Sequence, residues 1–205
     1  VEKFDVIYCD PPWQFNSKKT GGSMKSGASQ LYDTMTLEEL KEMPVGELAA
    51  DNCMLIMWWV GAMGKEAFEL AEAWGFEVRN MNGIVWIKQT VLGNPFFGMG
   101  YYTRAGSESC LIAIKGTVKP LSRSVRAVFS SPVGGHSEKP SEVRDKIMEL
   151  FGYKRKIELF HRGVSKGNWS VFGNQSYPSL ILDEYGWREP HICELELQLE
   201  GIENG

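Results

Sequence analysis

Cysteine, histidine and long apolar runs are all scarce in this chain, and each shortage removes a class of protein. Only Cys9, Cys53, Cys110 and Cys193 occur, and no two form a CxxC pair. Two of them fall in strand-like apolar runs, so they read as buried free thiols in a reducing compartment rather than as a disulfide framework. His136, His161 and His191 lack zinc-ligand spacing, and no metal is expected. The longest near-continuous apolar stretch, residues 53–60, is far too short to cross a bilayer. There is no secretory signal, no internal repeat and no GxGxxG, so a cytoplasmic location is expected and a dinucleotide-binding fold is not supported. The first strand-like run starts almost at Val1, so sequence preceding it is expected to be missing.

What is present fits one domain. The 205 residues can bury a sizeable core but not two full ones. Aromatics reach 12% with seven tryptophans, which reads as a Trp-rich core with Trp13 set apart. Net charge is −4, which argues against a polyanionic partner until its distribution is considered. Residues 183–205 hold seven acids and one arginine; the remainder has 21 basic against 19 acidic residues. Lys115, Lys119, Arg123 and Arg126 lie in an acid-free stretch between Glu108 and Glu138, and Lys18, Lys19 and Lys25 in another over residues 14–32. Two such stretches flanking a site favour phosphate contact.

The order of elements predicts an α/β protein with a mainly parallel sheet and helices on both faces. Residues 4–9 read as a buried strand ending at Asp10-Pro11-Pro12-Trp13. Residues 14–33 read as a Gly/Ser/Lys loop. Thr36 and Glu39 form a capping box for a short helix that Pro44 interrupts. A strand follows at 53–59, then a helix with Met63, Ala67, Leu70, Ala71 and Trp74 on one face. Residues 76–88 are a strand pair or one long bent strand. Residues 89–107 are a second glycine-rich loop. Strands are expected at 108–115, 126–129, 156–160 and 168–172. Pro140 suits the first position of a helix that buries Val143, Ile147, Leu150 and Phe151. The expected division is a catalytic domain over 1–177 and an acidic tail over 178–205, whose Glu194–Glu200 alternation has the period of a strand.

The tetrad after the first strand carries the chemistry. In open α/β sheets ligands bind at the carboxyl ends of strands. The lone pair of an aryl amine such as adenine N6 is delocalised into the ring. Two acceptors, the Asp10 carboxylate and the Pro11 carbonyl, would draw on its two N–H bonds, and both contacts strengthen as positive charge develops on nitrogen. Pro12 restricts Pro11 to an extended conformation and pre-aims that carbonyl. Trp13 offers a stacking face worth about 1–3 kcal/mol.

These residues, with others in the same order, resemble a known family. Asp10-Pro11-Pro12-Trp13 is similar to the DPPW signature of N6-adenine methyltransferases related to the catalytic subunit of the eukaryotic mRNA adenosine methyltransferase. The Leu31-Tyr32-Asp33-Thr34-Met35 stretch, the strand Glu108-Ser109-Cys110-Leu111 through Lys115-Gly116, and Glu138-Lys139-Pro140 resemble further family motifs. So do the strand Lys156-Ile157-Glu158-Leu159-Phe160 with Arg162, and Asn168-Trp169 with Gly173-Asn174-Gln175. The resemblance covers residues 4 to 175. It implies a Rossmann-like fold with the catalytic strand ahead of the cofactor strand, and S-adenosylmethionine as cofactor. Lys139 would take the methionine carboxylate, Arg162 and Asn174 the ribose, and Gln175 the adenine. Glu158, Leu159 and Phe160 would line the same pocket. A His-Asn pair of the family's mRNA enzyme is here Val164-Ser165, which leaves only Ser165 as a polar contact. The family member also has a segment ahead of the catalytic strand that helps to hold the cofactor adenine, and this chain begins too late to show it. Tyr32, Lys18, Lys19, Tyr102 and Arg104 would meet the nucleic acid.

The leading expectation is therefore a DNA adenine-N6 methyltransferase of a prokaryote or phage, acting on a flipped-out base in the (host) cytoplasm. The alternative is the same reaction on RNA. A third is an inactive partner that presents nucleic acid, which the intact tetrad disfavours. No separate target-recognition domain is visible, so specificity is expected to be short or relaxed unless the chain forms a homodimer.

Overall fold

Strand β1 (Phe4–Cys9) is buried on both faces beyond Asp5, with Val6, Ile7 and Cys9 wholly inaccessible, as the apolar run from Val6 to Cys9 requires. In the computed structural model, which describes residues 1–14, 34–100, 102–135, 138–152, 154–163, 167–173, 175–176, 178–191 and 194–195, β1 is an interior strand of the sheet. Helix α1 (Leu37–Glu42) begins at the expected capping box. The Thr36 hydroxyl accepts from the Glu39 N–H (3.2 Å) while the Glu39 carboxylate accepts from the Thr36 N–H (2.7 Å). A 3₁₀ turn at Val45–Glu47 follows Pro44.

Strand β2 (Ala49–Trp59) starts four residues before the apolar run, because its first residues are paired but partly solvated. Helix α2 (Gly64–Ala73) buries Ala67, Leu70 and Ala71. Strand β3 (Glu77–Gln89) is one long strand, with two register irregularities against β4 (Ser107–Lys115). Strand β5 (Val128–Pro132) begins two residues later than expected. Helix α3 (Glu142–Phe151) starts beyond Pro140, which lies before the helix and accepts the Val143 N–H through its carbonyl (3.3 Å). Then come β6 (Lys156–Leu159), β7 (Arg162–Gly163), β8 (Trp169–Phe172), β9 (Gln175–Ser176), β10 (Ile181–Asp183) and β11 (Gly186–Arg188). The run expected to extend β6 to residue 160 stops short, since Phe160 turns to φ 61°.

The main sheet has the order β5-β3-β4-β2-β1-β6-β8. Neighbours are parallel except where β4 is inserted against β3 and β2. The reversal follows from the β3–β4 connection, which carries no crossover helix and so brings the chain straight back. Alternation along the strands divides the core. Ile7, Cys9, Leu55, Met57 and Leu159 face α1 and α2; Val6, Tyr8, Ile56, Trp58 and Trp169 face α3. Helices thus cover both faces.

Two features tie the C-terminal region to this body. Gly173 approaches His161 so closely that a Cβ would lie 2.1 Å from the His161 carbonyl oxygen. Only glycine allows the His161 N–H to reach the Phe172 carbonyl at 2.9 Å there. Residues 178–191 pack on the α1 side: Leu180 and Trp187 are buried, and the Trp187 indole N–H donates to the Pro44 carbonyl (2.9 Å). Glu194 and Leu195 are helical, not extended; the rest of the alternating run lies outside the described residues. Among the described residues no helix is long and apolar enough to cross a membrane.

Candidate active site

Asp10 leaves the carboxyl end of β1, between β2 on one side and β6 on the other, where the strand order reverses. The turn behind it is fixed by backbone bonds. The Trp13 N–H donates to the Pro11 carbonyl (2.8 Å), and the Met35 N–H to the Pro12 carbonyl (2.9 Å). The Trp13 indole N–H donates to the Trp58 carbonyl (3.2 Å), and only 5% of the residue is accessible. Trp13 is thus a core tryptophan with one edge on the cavity, not the exposed exception the sequence implied.

Four alternating charges line this end of the sheet. The Lys139 ammonium is 2.8 Å from the Asp10 carboxylate and 3.4 Å from that of Glu108; Lys88 pairs with Glu108 from the other side. Lys139 stands 5.5 Å from the Trp58 ring centre and Lys88 5.0 Å from that of Trp86, so both cations have aromatic neighbours. Burial pushes the Asp10 carboxyl above its ordinary value, and Lys139 opposes that push without cancelling it. For Glu108 burial acts upward too, but Lys139 and Lys88 together outweigh it and hold the carboxyl low. Burial would lower the Lys139 ammonium; Asp10 and Glu108 reverse this and keep it charged.

A second cluster lies behind the first. Arg144 of α3 pairs with Glu158 of β6, and its Nη2 is 3.0 Å from His161 Nδ1. Two cavities of about 520 and 690 Å³ adjoin these groups and share Asp10, Trp86, Glu138, Lys139 and Arg162. Both are of the size of small-molecule pockets. The first is walled by Pro11, Pro12, Trp13, Thr34 and Phe96, the second by Tyr8, Arg144, Glu158, Phe160 and His161.

The structure thus gathers Asp10, Pro11, Pro12, Trp13, Lys139, Glu158, Phe160 and Arg162 around two joined cavities. Leu159 does not join them: its side chain is fully buried on the opposite face of the sheet, as alternation from Glu158 demands. Gln175 is placed through its backbone, paired with Arg162. Tyr32, Lys18, Lys19, Ser165 and Asn174 lie outside the described residues. Tyr102 and Arg104 sit exposed on the β3–β4 connection, away from the cavity walls. Sequence reasoning assigned no role to Lys88, Glu108 or Arg144. The first pair is made by the β3–β4 register, which sets Glu108 opposite Trp86 with Lys88 on the same face as Trp86. Nothing local marked Arg144. Lys115 has a structural partner, the Gly46 carbonyl (3.3 Å). Among the described residues, no group of three or more His, Cys, Asp or Glu is placed to hold a metal ion.

A Rossmann-like sheet with an Asp-Pro-Pro-Trp turn at the carboxyl end of an interior strand, where the strand order reverses, has the architecture of a methyltransferase. The chain belongs to the MT-A70 family, whose model matches residues 4–175. It is 35% identical over 188 residues to the type II methyltransferase M.MunI of a Mycoplasma species, covering 83% of this chain and 78% of that protein. It is 29% identical over 185 residues to the human N(6)-adenosine-methyltransferase catalytic subunit METTL3, covering 88% of this chain but only 30% of that protein. A Drosophila melanogaster MT-A70-like N(6)-adenosine-methyltransferase is also 29% identical.

Proposed function

We propose that this chain transfers a methyl group from S-adenosylmethionine to the exocyclic N6 of adenine in DNA. The observation that carries the reading is the position of Asp10, at the junction of two pockets and in contact with Lys139. The residues around the second cavity suit the cofactor. Lys139, kept cationic by Asp10 and Glu108, would meet its carboxylate. Glu158 and Arg162 offer an acceptor and a donor for ribose hydroxyls. When bound, the cofactor supplies a methyl group activated by its sulfonium.

The first cavity suits a planar base. Asp10 uses one carboxylate oxygen for Lys139 and retains acceptor capacity for an N6–H. The Pro11 carbonyl uses one lone pair on the Trp13 N–H and keeps a second. Both acceptors gain strength as the amine becomes cationic, so they act on the barrier and not only on binding. After transfer the acidic ammonium loses its proton to Asp10 or to water. Pro12 and Trp13 wall the base pocket.

The higher identity to a type II methyltransferase than to the adenosine methyltransferases favours DNA over RNA. The cytoplasm is the compartment this reading requires, and a homodimer would lengthen the sequence read. The test is transfer of tritium from labelled cofactor to matched DNA and RNA oligonucleotides. Label is expected in N6-methyladenine of DNA; label only in RNA would replace DNA by RNA. Asp10→Ala should cut turnover about 10²–10³-fold while calorimetry shows cofactor affinity largely kept. Turnover within tenfold of wild type would remove Asp10 from the mechanism.

A further inference from the structure

Between β3 and β4 the chain forms two consecutive tight loops. The Thr90 N–H donates to the Asn94 carbonyl (2.8 Å) and closes the first; the Gly98 N–H donates to the Ala105 carbonyl (2.9 Å) and closes the second. Between them the Phe96 N–H returns to the Lys88 carbonyl (3.1 Å), which brings Phe96 to the wall of the Asp10 cavity. Its neighbour Phe97 is 78% exposed. One phenylalanine thus lines the pocket while the next, outside the pocket lining, is open to solvent. The Arg104 guanidinium lies 5.7 Å from the Phe97 ring centre. Met99 and Tyr102 are exposed on the same loop.

This much uncovered apolar surface beside a binding cavity marks an interaction site. Its chemistry identifies the partner. Residues 89–107 contain no acid, one arginine and four aromatics. An exposed aromatic ring with a guanidinium over it is the pairing on which unstacked bases settle, and it is indifferent to base identity.

We propose that Phe97, with Arg104, is a stacking platform for the nucleotide next to the adenine held at Asp10. This platform presupposes the nucleic-acid reading above. Phe97 directly follows the pocket-wall residue Phe96, so the platform stands beside the pocket, within reach of a nucleotide that flanks the target adenine. The platform holds the displaced strand in register once the target base has left its stack.

The experiment measures, by fluorescence anisotropy, binding of single-stranded DNA oligonucleotides carrying one adenine, with the flanking nucleotide either intact or abasic. Phe97→Ala should weaken binding to the intact oligonucleotide about tenfold. Phe97→Trp should restore it. The loss should vanish on the abasic oligonucleotide, and the slope of log affinity against log salt should not change, because stacking releases no counterions. Circular dichroism checks that the variants are folded, as the exposure of Phe97 implies. Equal affinity of wild type and Phe97→Ala for the intact oligonucleotide overturns the platform. So does self-association of the wild type that Phe97→Ala abolishes with DNA affinity unchanged, which would make the loop an interface between copies. Failure of the wild type to methylate any adenine oligonucleotide instead overturns the underlying reading.

Discussion

Asp10 and Glu108 stand at either side of the Lys139 ammonium, and their pKa values move in opposite directions. Asp10 acts as an anion, so kcat/KM should fall as pH drops through its raised pKa, above the ordinary aspartate value of about 3.9. Glu108 adds to that rise. Glu108→Gln should therefore move the acid limb of the pH profile to lower pH, whereas loss of the Lys139 charge in Lys139→Met should move it up. A limb unmoved by both changes would assign it to another group. The linkage to stability has the opposite sign for the two carboxyls. Glu108, held below its unfolded value, stabilises the fold above that value and loses this as pH falls through its folded pKa. The excess thermal stability of wild type over Glu108→Gln should thus hold steady from neutral pH down to about 4.3, the ordinary glutamate value, and shrink as pH falls below it, followed by calorimetry.

Helix α1 is only six residues long and depends on its ends. Its cap lies next to Met35, whose backbone bonds hold Pro12 and Gln14 on either side of Trp13. Thr36→Ala removes the side-chain half of the capping box and should cost about 1 kcal/mol. In a chain of this length that lowers Tm by about 2–4 °C, measurable by thermal unfolding. Turnover should fall as well if the cap steadies the tetrad; an unchanged kcat would confine Thr36 to stability. The β3–β4 connection shows the same economy. Backbone bonds close each loop, and Val91, Leu92, Phe97, Met99 and Tyr102 remain exposed on it while Phe96 lines the cavity.

The assembled chain extends beyond the family match. Trp187, twelve residues past it, is 8% exposed, bonded to Pro44 and stacked edge-to-face on Phe172 at 4.9 Å. Trp187→Ala should cost about 3–5 kcal/mol in urea denaturation, the loss expected for a buried aromatic. If residues 178–205 were an independent appendage, the midpoint would not move. The charges of the body make a different claim. Replacing Lys18, Lys19 and Lys25 should weaken binding to all DNA sequences alike. Each duplex phosphate that is no longer neutralised should flatten the salt slope by about 0.9. An unchanged slope would shift the polymer's path to Lys119, Arg123 and Arg126, which are exposed on the β4–β5 connection.

Short-range physics made much of this protein readable in advance. Phe4–Cys9 is a buried strand because, Asp5 apart, its residues are apolar on both faces. Thr36 and Glu39 cap a helix because they are three residues apart, and Asp10 stands at a strand end because two prolines follow it. Each is settled within a few residues. What could not be read depends on pairings between distant segments. Lys139 meets Asp10 across 129 residues, a contact that no local pattern announces. Lys88 joins Glu108 only because β4 runs antiparallel beside β3. Trp13 and Trp187 look alike in sequence to any surface tryptophan; the shape of the packed core buries both. Local pattern sets the propensity of each segment, but which charges are desolvated together, and hence which carboxyl titrates high and which low, is fixed when the sheet closes over them.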